Sequence, residues 1–401
     1  MTTQLSLFEH IGLSYLDKTE LSNSELYELI PENLIQTKAN SKYNEFKRKI
    51  RWQQQTMKQL GLLEHVEDKK ATWRLTEQGK SKLTPLHQVS NNYKMIAFST
   101  DLGVAIWADS TTLYSNLDIP ITLCLSSPPY PLNAVKAYGN VTQQEYVDWI
   151  CKAIEPIVKN LRDGGSIVLN LGNDVFIQKS PARSTYRERM VIAFEDKLGL
   201  YKMDEIPWIN KSKPPGPTYW ASITRQQLNC AWEPIYWFTN NPVKCLSNNN
   251  RVLQPHTEEH LKYLQNKHLI NEYRVNSDGA HVVRNSSYSN ITEGKIPKNI
   301  FERGHKCKAQ EEYKKYCKEL NLPYHGATFP LDLAKFFISF LSDEQDLIVD
   351  PFGGSMTVAK GAEELNRRWL SSDNIWQYLR GAVGRFTTAK INPDFQNLLV
   401  V

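Results

Sequence analysis

The stretch 121–130, with the sequence ITLCLSSPPY, strongly constrains what this chain can fold into. Its first residues form a short apolar run with β-branched content, which predicts a buried strand. Pro128 and Pro129 prevent the strand from continuing, because neither can donate a ladder hydrogen bond and each holds its predecessor extended. The sequence therefore predicts a stiff turn at the carboxyl end of a strand, with Ser127 before the prolines and Tyr130 after them. In open α/β sheets, ligands bind at that edge.

A turn of this composition suits methylation of an exocyclic amine on a nucleic-acid base. Such an amine is conjugated with its ring and weakly nucleophilic, and a site that accepts hydrogen bonds from both N–H groups turns its lone pair toward an electrophile. The Ser127 hydroxyl and the rigidly held Pro128 carbonyl are suitable acceptors. Tyr130 offers a flat face on which an extruded base can stack. An ordinary proline turn is the alternative that these residues leave open by themselves.

A second motif, DLIVDPFGGS, occupies residues 346–355. Its apolar residues predict another buried strand, which Asp350 ends, and Gly353 and Gly354 predict a tight turn. A predicted helix and then Asp373 follow, at roughly the 20-residue spacing of nucleotide-binding folds. In that pattern the glycines let the backbone approach the ligand, and the distal carboxylate binds ribose hydroxyls. The pattern is weak alone, because GGS replaces the usual G-x-G, and its pairing with SSPPY strengthens it.

Together these motifs resemble the β-class amino-methyltransferases of DNA, in which the catalytic motif precedes the S-adenosylmethionine motif. SPPY, in place of DPPY or NPPY, is similar to the cytosine-N4 members associated with restriction-modification systems. The likeness covers roughly residues 94–385. It also includes KAYGN at 136–140, EYVDW at 145–149, PARS at 181–184 and HGATFP at 325–330.

The resemblance implies an α/β, Rossmann-like fold with permuted motif order, in which both motifs face one crevice from adjacent parallel strands. It implies S-adenosylmethionine as cofactor, S-adenosylhomocysteine as its product, and double-stranded DNA whose target base is flipped out. The implied catalytic residues are Ser127, Pro128, Pro129 and Tyr130. The implied cofactor residues are Asp109, Thr328, Phe329, Pro330, Asp350, Phe352, Gly353, Gly354, Ser355 and Asp373. The implied DNA contacts in this part of the chain are Lys136, Tyr138 and Arg183.

Two alternatives stay open at this point. Adenine, like cytosine, presents an amine beside a ring nitrogen, so the same turn is compatible with an adenine-N6 enzyme. An inactive methyltransferase fold that serves as a DNA-binding regulator is the second alternative, against which the intact SPPY and cofactor motifs argue. The recognition sequence, a cognate restriction endonuclease and the oligomeric state do not follow from the sequence.

Composition is typical of a soluble globular protein, with 41% hydrophobic and 23% charged residues. The formal net charge of +5 is compatible with nucleic-acid binding without requiring it. The six cysteines form no C-x-x-C pair, so we expect reduced thiols, a cytoplasmic location and no metal site. The alternative is a zinc site coordinated by His305, Cys307, Cys317 and His325. Neither a signal-peptide pattern nor a membrane-spanning apolar run is present in the sequence.

Residues 1–88 are expected to form a separate domain that resembles a winged helix-turn-helix. A helix capped by Ser22 or Ser24, a basic helix at about 42–60 and a hairpin around 68–70 follow one another in that order. We expect the basic helix to contact DNA, because such a fold presents its recognition helix there. A merely solvated face is the alternative. The cations on this helix are Lys47, Arg48, Lys49, Arg51 and Lys58.

Residues 94–401 are expected to form the methyltransferase domain. Periodic apolar residues at 146–161 predict a helix that Gly164 and Gly165 end, before a strand at 166–171. Residues 240–322 lack apolar periodicity and are rich in polar and basic residues. This stretch resembles the family's target-recognition region, whose side chains contact base edges. Disorder is the alternative.

Overall fold

The structure is a computed structural model. It describes residues 14–15, 18, 20–29, 47–48, 50–51, 54–55, 57–58, 62–76, 93–117, 119–132, 141–211, 213–266, 274–275, 282–283, 292–305, 307–328 and 330–398. Lys136, Tyr138 and Phe329, which the sequence placed in the DNA and cofactor sites, lie outside the described residues.

The amino-terminal part contains a small antiparallel sheet of strands β1 (Leu21–Ser22), β2 (Leu63–His65) and β3 (Thr72–Leu75), in the order β1-β3-β2. Helix α1 (Asn23–Leu29) follows β1 directly. The Ser22 hydroxyl accepts from the amide of Glu25 at 3.3 Å, and the Ser22 amide donates to the Glu25 carboxylate at 2.8 Å. This capping box fixes where the helix begins, at one of the two serines expected from the sequence.

Every residue described between 47 and 58 is helical, as predicted for the basic helix. Ile50 and Met57 are buried, and they pack in one cluster with Leu26 and Trp73. Arg48 and Arg51 are exposed on the outer side. The predicted order of helix, basic helix and hairpin is therefore present in the amino-terminal part.

The strands that follow are β4 (Lys94–Ser99), β5 (Gly103–Ala108), β6 (Ile121–Ser126), β7 (Leu161–Asn170), β8 (Tyr201–Ile209), β9 (Trp232–Thr239), β10 (Arg274–Val275), β11 (Val282–Val283), β12 (Phe301–Glu302), β13 (Leu347–Asp350), β14 (Arg368–Asp373) and β15 (Lys390–Ile391). Strands β10 and β11 form a separate antiparallel pair. The others form one ten-stranded mixed sheet, in the order β12-β8-β9-β7-β6-β13-β14-β5-β4-β15. Its central strands, from β7 through β5 in that order, are parallel.

The adjacency of β6 and β13 places both sequence motifs side by side. Ile348 pairs with Leu123 and Val349 with Cys124 in parallel register. Both strands are buried along their whole length, which explains their continuous apolar runs. Because parallel strands end at the same edge of a sheet, the proline turn and the glycine turn meet there.

Helices cover both faces of this sheet. Alternate residues of β6 face opposite sides: Leu123 joins one apolar cluster and Cys124 the other. From residue 93 onward the described α-helices are α2 (Ser110–Leu113), α3 (Tyr146–Lys159), α4 (Tyr186–Leu198), α5 (Glu258–Asn266), α6 (Lys308–Glu319), α7 (Leu331–Leu341), α8 (Thr357–Glu364), α9 (Trp376–Ala382) and α10 (Pro393–Gln396). The cluster with Leu123 contains residues of α6, α7, α8 and α9, and the cluster with Cys124 contains residues of α3 and α4.

Two predictions about local structure were wrong. Helix α3 ends at Lys159, and Gly164 and Gly165 lie inside β7 instead of ending the helix. Gly164 has φ +77°, and an added Cβ would come within 1.8 Å of the Lys244 carbonyl oxygen, so its glycine is required by a close backbone approach. The region 240–322 is also more regular than its sequence indicated, since it contains α5, α6 and several short strands.

No helix in the described ranges is long and apolar enough to cross a membrane.

Candidate active site

A cleft of about 280 Å³ opens at the carboxyl ends of β5, β6, β13 and β14. It lies at the edge where the sequence predicted ligand binding. Its lining residues are Ala108, Asp109, Ser110, Ser127, Pro128, Pro129, Tyr130, Val141, Trp149, His325, Ala327, Pro351, Phe352, Asp373, Asn374, Ile375 and Tyr378. The whole SPPY turn therefore shares one cleft with Asp109, Phe352 and Asp373.

The Ser127 hydroxyl lies within hydrogen-bonding distance of two groups inside the protein. Its Oγ is 3.2 Å from the Tyr130 hydroxyl and 3.3 Å from Oδ1 of Asn170. The amide of Asn170 donates through Nδ2 to the Pro234 carbonyl at 3.4 Å, which leaves Oδ1 directed at the turn. Because a carboxamide oxygen only accepts, Ser127 is the donor in its hydrogen bond with Asn170.

Tyr130 is held from two sides. Its hydroxyl donates to Oδ1 of Asn170 at 3.3 Å or to Oε2 of Glu233 at 3.4 Å. An added Cβ at Gly172 would come within 2.6 Å of the tyrosine ring, so that ring packs directly on the backbone there. Burial raises the pKa of Tyr130 well above its ordinary value, so the phenol stays neutral.

A compact charged cluster supports Glu233. Lys213 Nζ lies 3.0 Å from Oε1 of Glu233 and 3.5 Å from Oδ2 of Asp174, and the Lys213 and Glu233 side chains are largely buried. The nearby carboxylates hold the pKa of Lys213 above its ordinary value, against the opposing effect of burial, which is the largest single influence. Asn170, Glu233 and Lys213 were not identified from the sequence, because their spacing from the SPPY turn carries no local signal.

Asp350 lies buried beneath the cleft instead of lining it. Its Oδ1 accepts from the Ser126 hydroxyl at 2.5 Å and from the Phe352 amide at 3.1 Å. Burial raises the pKa of this carboxyl to about 7, although both hydrogen bonds act to lower it. Asp350 thus ties the end of β6 to the first residues of the cofactor turn.

The turn after Asp350 is closely packed. An added Cβ at Gly353 would lie 2.4 Å from the Ser371 hydroxyl, and Gly354 has φ +50° with His325 against it. Met356 also has a positive φ, of 57°, which is unfavourable for a residue with a side chain. The glycine positions therefore follow from both crowding and conformation.

Buried Arg385 stabilises this turn, and the sequence did not predict it. Its Nη1 donates to the Ser355 carbonyl at 2.7 Å, to the Ser355 hydroxyl at 3.3 Å and to the Thr357 hydroxyl at 3.1 Å. The Ser355 carbonyl belongs to the peptide group that precedes Met356. The guanidinium therefore holds the peptide next to the left-handed residue.

Two carboxylates, Asp373 and Asp109, face the cleft. Asp373 accepts from the amides of Gly354 and Ile375, both at 2.8 Å, and burial raises its pKa to about 6. Asp109 accepts from the amide and hydroxyl of Thr111, at 2.8 and 2.7 Å, as the cap of α2. Each oxygen of Asp373 accepts one of these bonds and keeps a further lone pair, and both Asp109 bonds use Oδ1, so Oδ2 is outside them. Both side chains therefore remain able to bind ligand hydroxyls.

Aromatic and apolar side chains line much of the rest of the cleft. The rings of Trp149 and Phe352 have centroids 5.3 Å apart. His325 packs edge-on against Tyr378 at 4.8 Å, and burial lowers its pKa to about 4, so it is neutral at physiological pH. The cleft therefore combines two carboxylates with aromatic and apolar walls, which fits a nucleoside-like ligand such as S-adenosylmethionine.

Several predicted cofactor residues do not reach the cleft surface. Thr328 is buried, and its carbonyl accepts from Gln310 at 3.3 Å. Pro330 is the amino-terminal cap of α7. Ala327, in the same segment, lines the cleft instead. Gly353, Gly354 and Ser355 likewise do not line the cleft, although Phe352 immediately before them does.

The predicted DNA contacts are dispersed. Arg183 lies over the ring of Phe176 at 4.9 Å and donates to the Asn173 carbonyl, so its guanidinium also shapes its own loop. Lys47 lies over the Tyr27 ring at 5.4 Å, and its carbonyl accepts from Nε of Arg51 at 3.3 Å. No group of three or more His, Cys, Asp or Glu side chains that could hold a metal ion occurs among the residues with described positions.

Comparison with known proteins identifies the family to which this site belongs. Residues 121–384 match the N6/N4 DNA methylase family. The type II methyltransferase M.PvuII of Proteus hauseri is 30% identical over 302 residues, which are 75% of this chain and 88% of that protein. This chain is a member of the N6/N4 DNA methylase family. As a DNA methylase it is an enzyme that acts on DNA, and its cofactor is S-adenosylmethionine, as expected from the sequence.

Other relatives agree with this assignment. M.BglII of Bacillus subtilis is 26% identical over 67% of this chain and 65% of that protein. A solved structure entitled PvuII DNA methyltransferase (cytosine-N4-specific) superposes with a TM-score of 0.58 at 28% identity. The superposition covers 74% of this chain and 90% of the solved chain. The predicted α/β methyltransferase fold is therefore confirmed, and its sheet is large and mixed.

Proposed function

We propose that this DNA methylase transfers the methyl group of S-adenosylmethionine to the N4 amine of a flipped cytosine in double-stranded DNA. Two observations favour cytosine. The solved PvuII relative is described as cytosine-N4-specific. The first residue of the catalytic turn is a serine, Ser127, as in the cytosine-N4 members that this sequence resembles.

The hydrogen bonding of Ser127 is the observation that carries the mechanism. A serine hydroxyl has one proton and two lone pairs. Inside the protein the Ser127 hydroxyl lies 3.2 Å from the Tyr130 hydroxyl and 3.3 Å from Oδ1 of Asn170, and either oxygen can accept its hydrogen bond. A lone pair of Ser127 is then left to accept from a cytosine amine, and the Pro128 carbonyl accepts from its second N–H.

When Ser127 and Pro128 accept hydrogen bonds from both N–H groups, the amine becomes a better nucleophile, because its lone pair is withdrawn from conjugation with the ring. Bound S-adenosylmethionine supplies a methyl group that is already strongly electrophilic. The protein contributes orientation and hydrogen bonding, which suffice when the electrophile needs no further activation. The neutral Tyr130 ring provides an uncharged surface for the extruded base.

We assign cofactor binding to the part of the cleft built on β13 and β14. Asp373 and Asp109 would accept from cofactor hydroxyls, and Phe352 with Trp149 would contact its adenine. The turn of Asp350, Gly353, Gly354 and Ser355 would support this part of the site from behind. The segment of Thr328, Phe329 and Pro330 would lie toward the methionine end.

We further propose that residues 1–88 form a winged-helix domain that strengthens DNA binding, and that residues 94–401 form the catalytic domain. Lys47, Arg48 and Arg51 would contact phosphates, which provide affinity with little sequence information. Lys136, Tyr138 and Arg183 would contact DNA near the cleft. A cytoplasmic location and a cognate restriction endonuclease fit such an enzyme.

Product analysis tests the proposed function directly. Plasmid DNA is incubated with the protein and S-adenosylmethionine, digested to nucleosides and examined by mass spectrometry. We expect N4-methylcytosine. Formation of N6-methyladenine alone would refute the cytosine assignment, and formation of neither would refute the proposed activity.

A further inference from the structure

The connection between β8 and β9, residues 210–231, presents large apolar side chains to solvent. Tyr219, Ile223 and Leu228 are 57%, 67% and 85% exposed. Single exposed apolar residues are ordinary, but several on one short connection mark an interaction surface. Leu228 is the most exposed of the three.

Leu228 projects from a loop whose backbone is fixed by hydrogen bonds. The amides of Gln226 and Gln227 both donate to the Trp220 carbonyl, at 2.8 and 3.1 Å. Two residues after Leu228, the Cys230 amide donates to the Gly216 carbonyl at 2.7 Å. The Gln227 side chain also donates to the Pro181 carbonyl at 2.9 Å. A bulky apolar side chain is thus held outward on a preorganised support.

This connection adjoins the catalytic turn. It leads into β9, whose second residue, Glu233, contacts the Tyr130 hydroxyl at 3.4 Å. Residues 210–231 contain no acidic residue. Lys213 is paired with Glu233 and Asp174, and Lys211 with Glu302. Exposed Arg225, three residues before Leu228, supplies the positive charge that is complementary to phosphates. DNA is therefore the partner that this surface fits, on the side of the cleft where the base would stack.

We propose that Leu228 inserts into the DNA base stack beside the target cytosine. This inference rests on the proposed function, because extrusion of a base leaves a gap in the duplex. Proteins that unstack DNA commonly place an aliphatic wedge in such a gap, where its apolar atoms replace lost stacking. Leu228 combines the exposure, the fixed backbone and the location that this role requires.

The test compares two duplexes that contain the site mapped on methylated plasmid. In one duplex the target cytosine is paired with guanine, and in the other it faces an abasic position. The full-length protein is studied as wild type, Leu228→Ala and Val243→Ala. Val243 is 93% exposed but precedes Lys244, which contacts the amino end of β7 at Gly164, so it is a matched control away from the cleft.

Single-turnover methylation gives the decisive comparison. We expect Leu228→Ala to methylate the paired duplex roughly tenfold more slowly than wild type, because the variant no longer fills the gap. On the abasic duplex its rate should return to within about twofold of wild type, since no pair has to be broken. Val243→Ala should match wild type on both duplexes.

Two outcomes would overturn the inference: an unchanged rate of Leu228→Ala on the paired duplex, or an equal loss on both duplexes. Equal loss would mean that Leu228 contacts DNA without entering the stack. Fluorescence of 2-aminopurine at the target position measures extrusion without methyl transfer, and it should rise less with Leu228→Ala than with wild type. If wild type forms only N6-methyladenine, the proposed cytosine-N4 function is refuted, while 2-aminopurine at the mapped adenine would still decide whether Leu228 inserts.

Discussion

Separate replacement of the two adjacent serines at the end of β6, Ser126 and Ser127, distinguishes a role in methyl transfer from a role in holding the site together. Ser127 faces the cleft, and its distances to Tyr130 and Asn170, 3.2 and 3.3 Å, are long for hydroxyl hydrogen bonds. Ser126 is fully buried and donates to Asp350 at 2.5 Å. We expect Ser127→Ala to impair turnover, and Ser126→Ala to impair stability and cofactor binding.

The magnitude for Ser127→Ala follows from the bond that it would remove. An acceptor for an amine that gains positive charge in the transition state is worth about 1.5–3 kcal/mol. The catalytic constant should therefore fall by roughly 10- to 150-fold. Because the internal contacts of Ser127 are long, its loss should lower the free energy of unfolding by less than about 1 kcal/mol.

Ser126→Ala is the matched control. It removes one of the two donors to the buried Asp350 carboxylate, a charged hydrogen bond worth about 1.5–3 kcal/mol. The loss of stability should be largest above pH 7, where Asp350 is ionised, and smaller near pH 5. Weaker binding of S-adenosylmethionine should accompany it, because Asp350 also accepts from the amide of Phe352.

Single-turnover rates, titration calorimetry with the methyl donor and thermal unfolding distinguish the two variants. The reasoning about Ser127 is refuted if Ser127→Ala keeps the wild-type rate, or if its binding of DNA and donor falls as much as its turnover. The second outcome would show that Ser127 only holds the loop.

Three further predictions concern residues around the cleft and on the basic helix. The free energy of unfolding should fall as pH rises from about 4 to 7, by up to about 1.4 kcal/mol per pH unit for Asp350. Folded Asp350 keeps its proton up to about pH 7, whereas the same carboxyl in the unfolded chain loses it at a lower pH. Denaturant titrations at several pH values should therefore show a weaker pH dependence of the unfolding free energy for Asp350→Asn. Arg385→Met should raise the KM for S-adenosylmethionine about tenfold and change kcat little, because the Ser355 carbonyl loses a charged donor; steady-state kinetics would contradict this if only kcat fell. Joint replacement of Arg48 and Arg51 by Ala should reduce the salt dependence of DNA affinity by roughly one unit of slope per lost contact at unchanged methylated sites; an unchanged slope would exclude phosphate contacts.

The sequence alone determined the parts of this protein that depend on local rules. Two prolines after a buried apolar run can only end a strand, so the turn at Ser127 to Tyr130 was predictable. The glycine turn after Asp350 and the hairpin between residues 65 and 72 in the amino-terminal part were also predictable from their local sequence. Resemblance to the methyltransferases then gave the enzyme class.

Helix α6 shows where local pattern was insufficient. Its residues are mostly charged, and only Gln310, Tyr313 and Cys317 are buried, a narrow face that the surrounding polar sequence obscured. Gly164 is a second case, because a glycine pair after a helix commonly ends it. The approach of the Lys244 carbonyl, eighty positions later, decides its role.

Only the tertiary structure brought Asn170, Glu233 and Arg385 to the motifs. Asn170 follows the SPPY turn by some forty positions and meets it because β7 pairs with β6. Glu233 lies on β9, which pairs antiparallel with β7. Arg385 follows α9 in the chain and donates to the Ser355 carbonyl of the glycine turn. The physical reason is that such contacts depend on strand order and on packing between distant segments. A strand's own apolar pattern fixes that it is buried, and not which strand it lies beside.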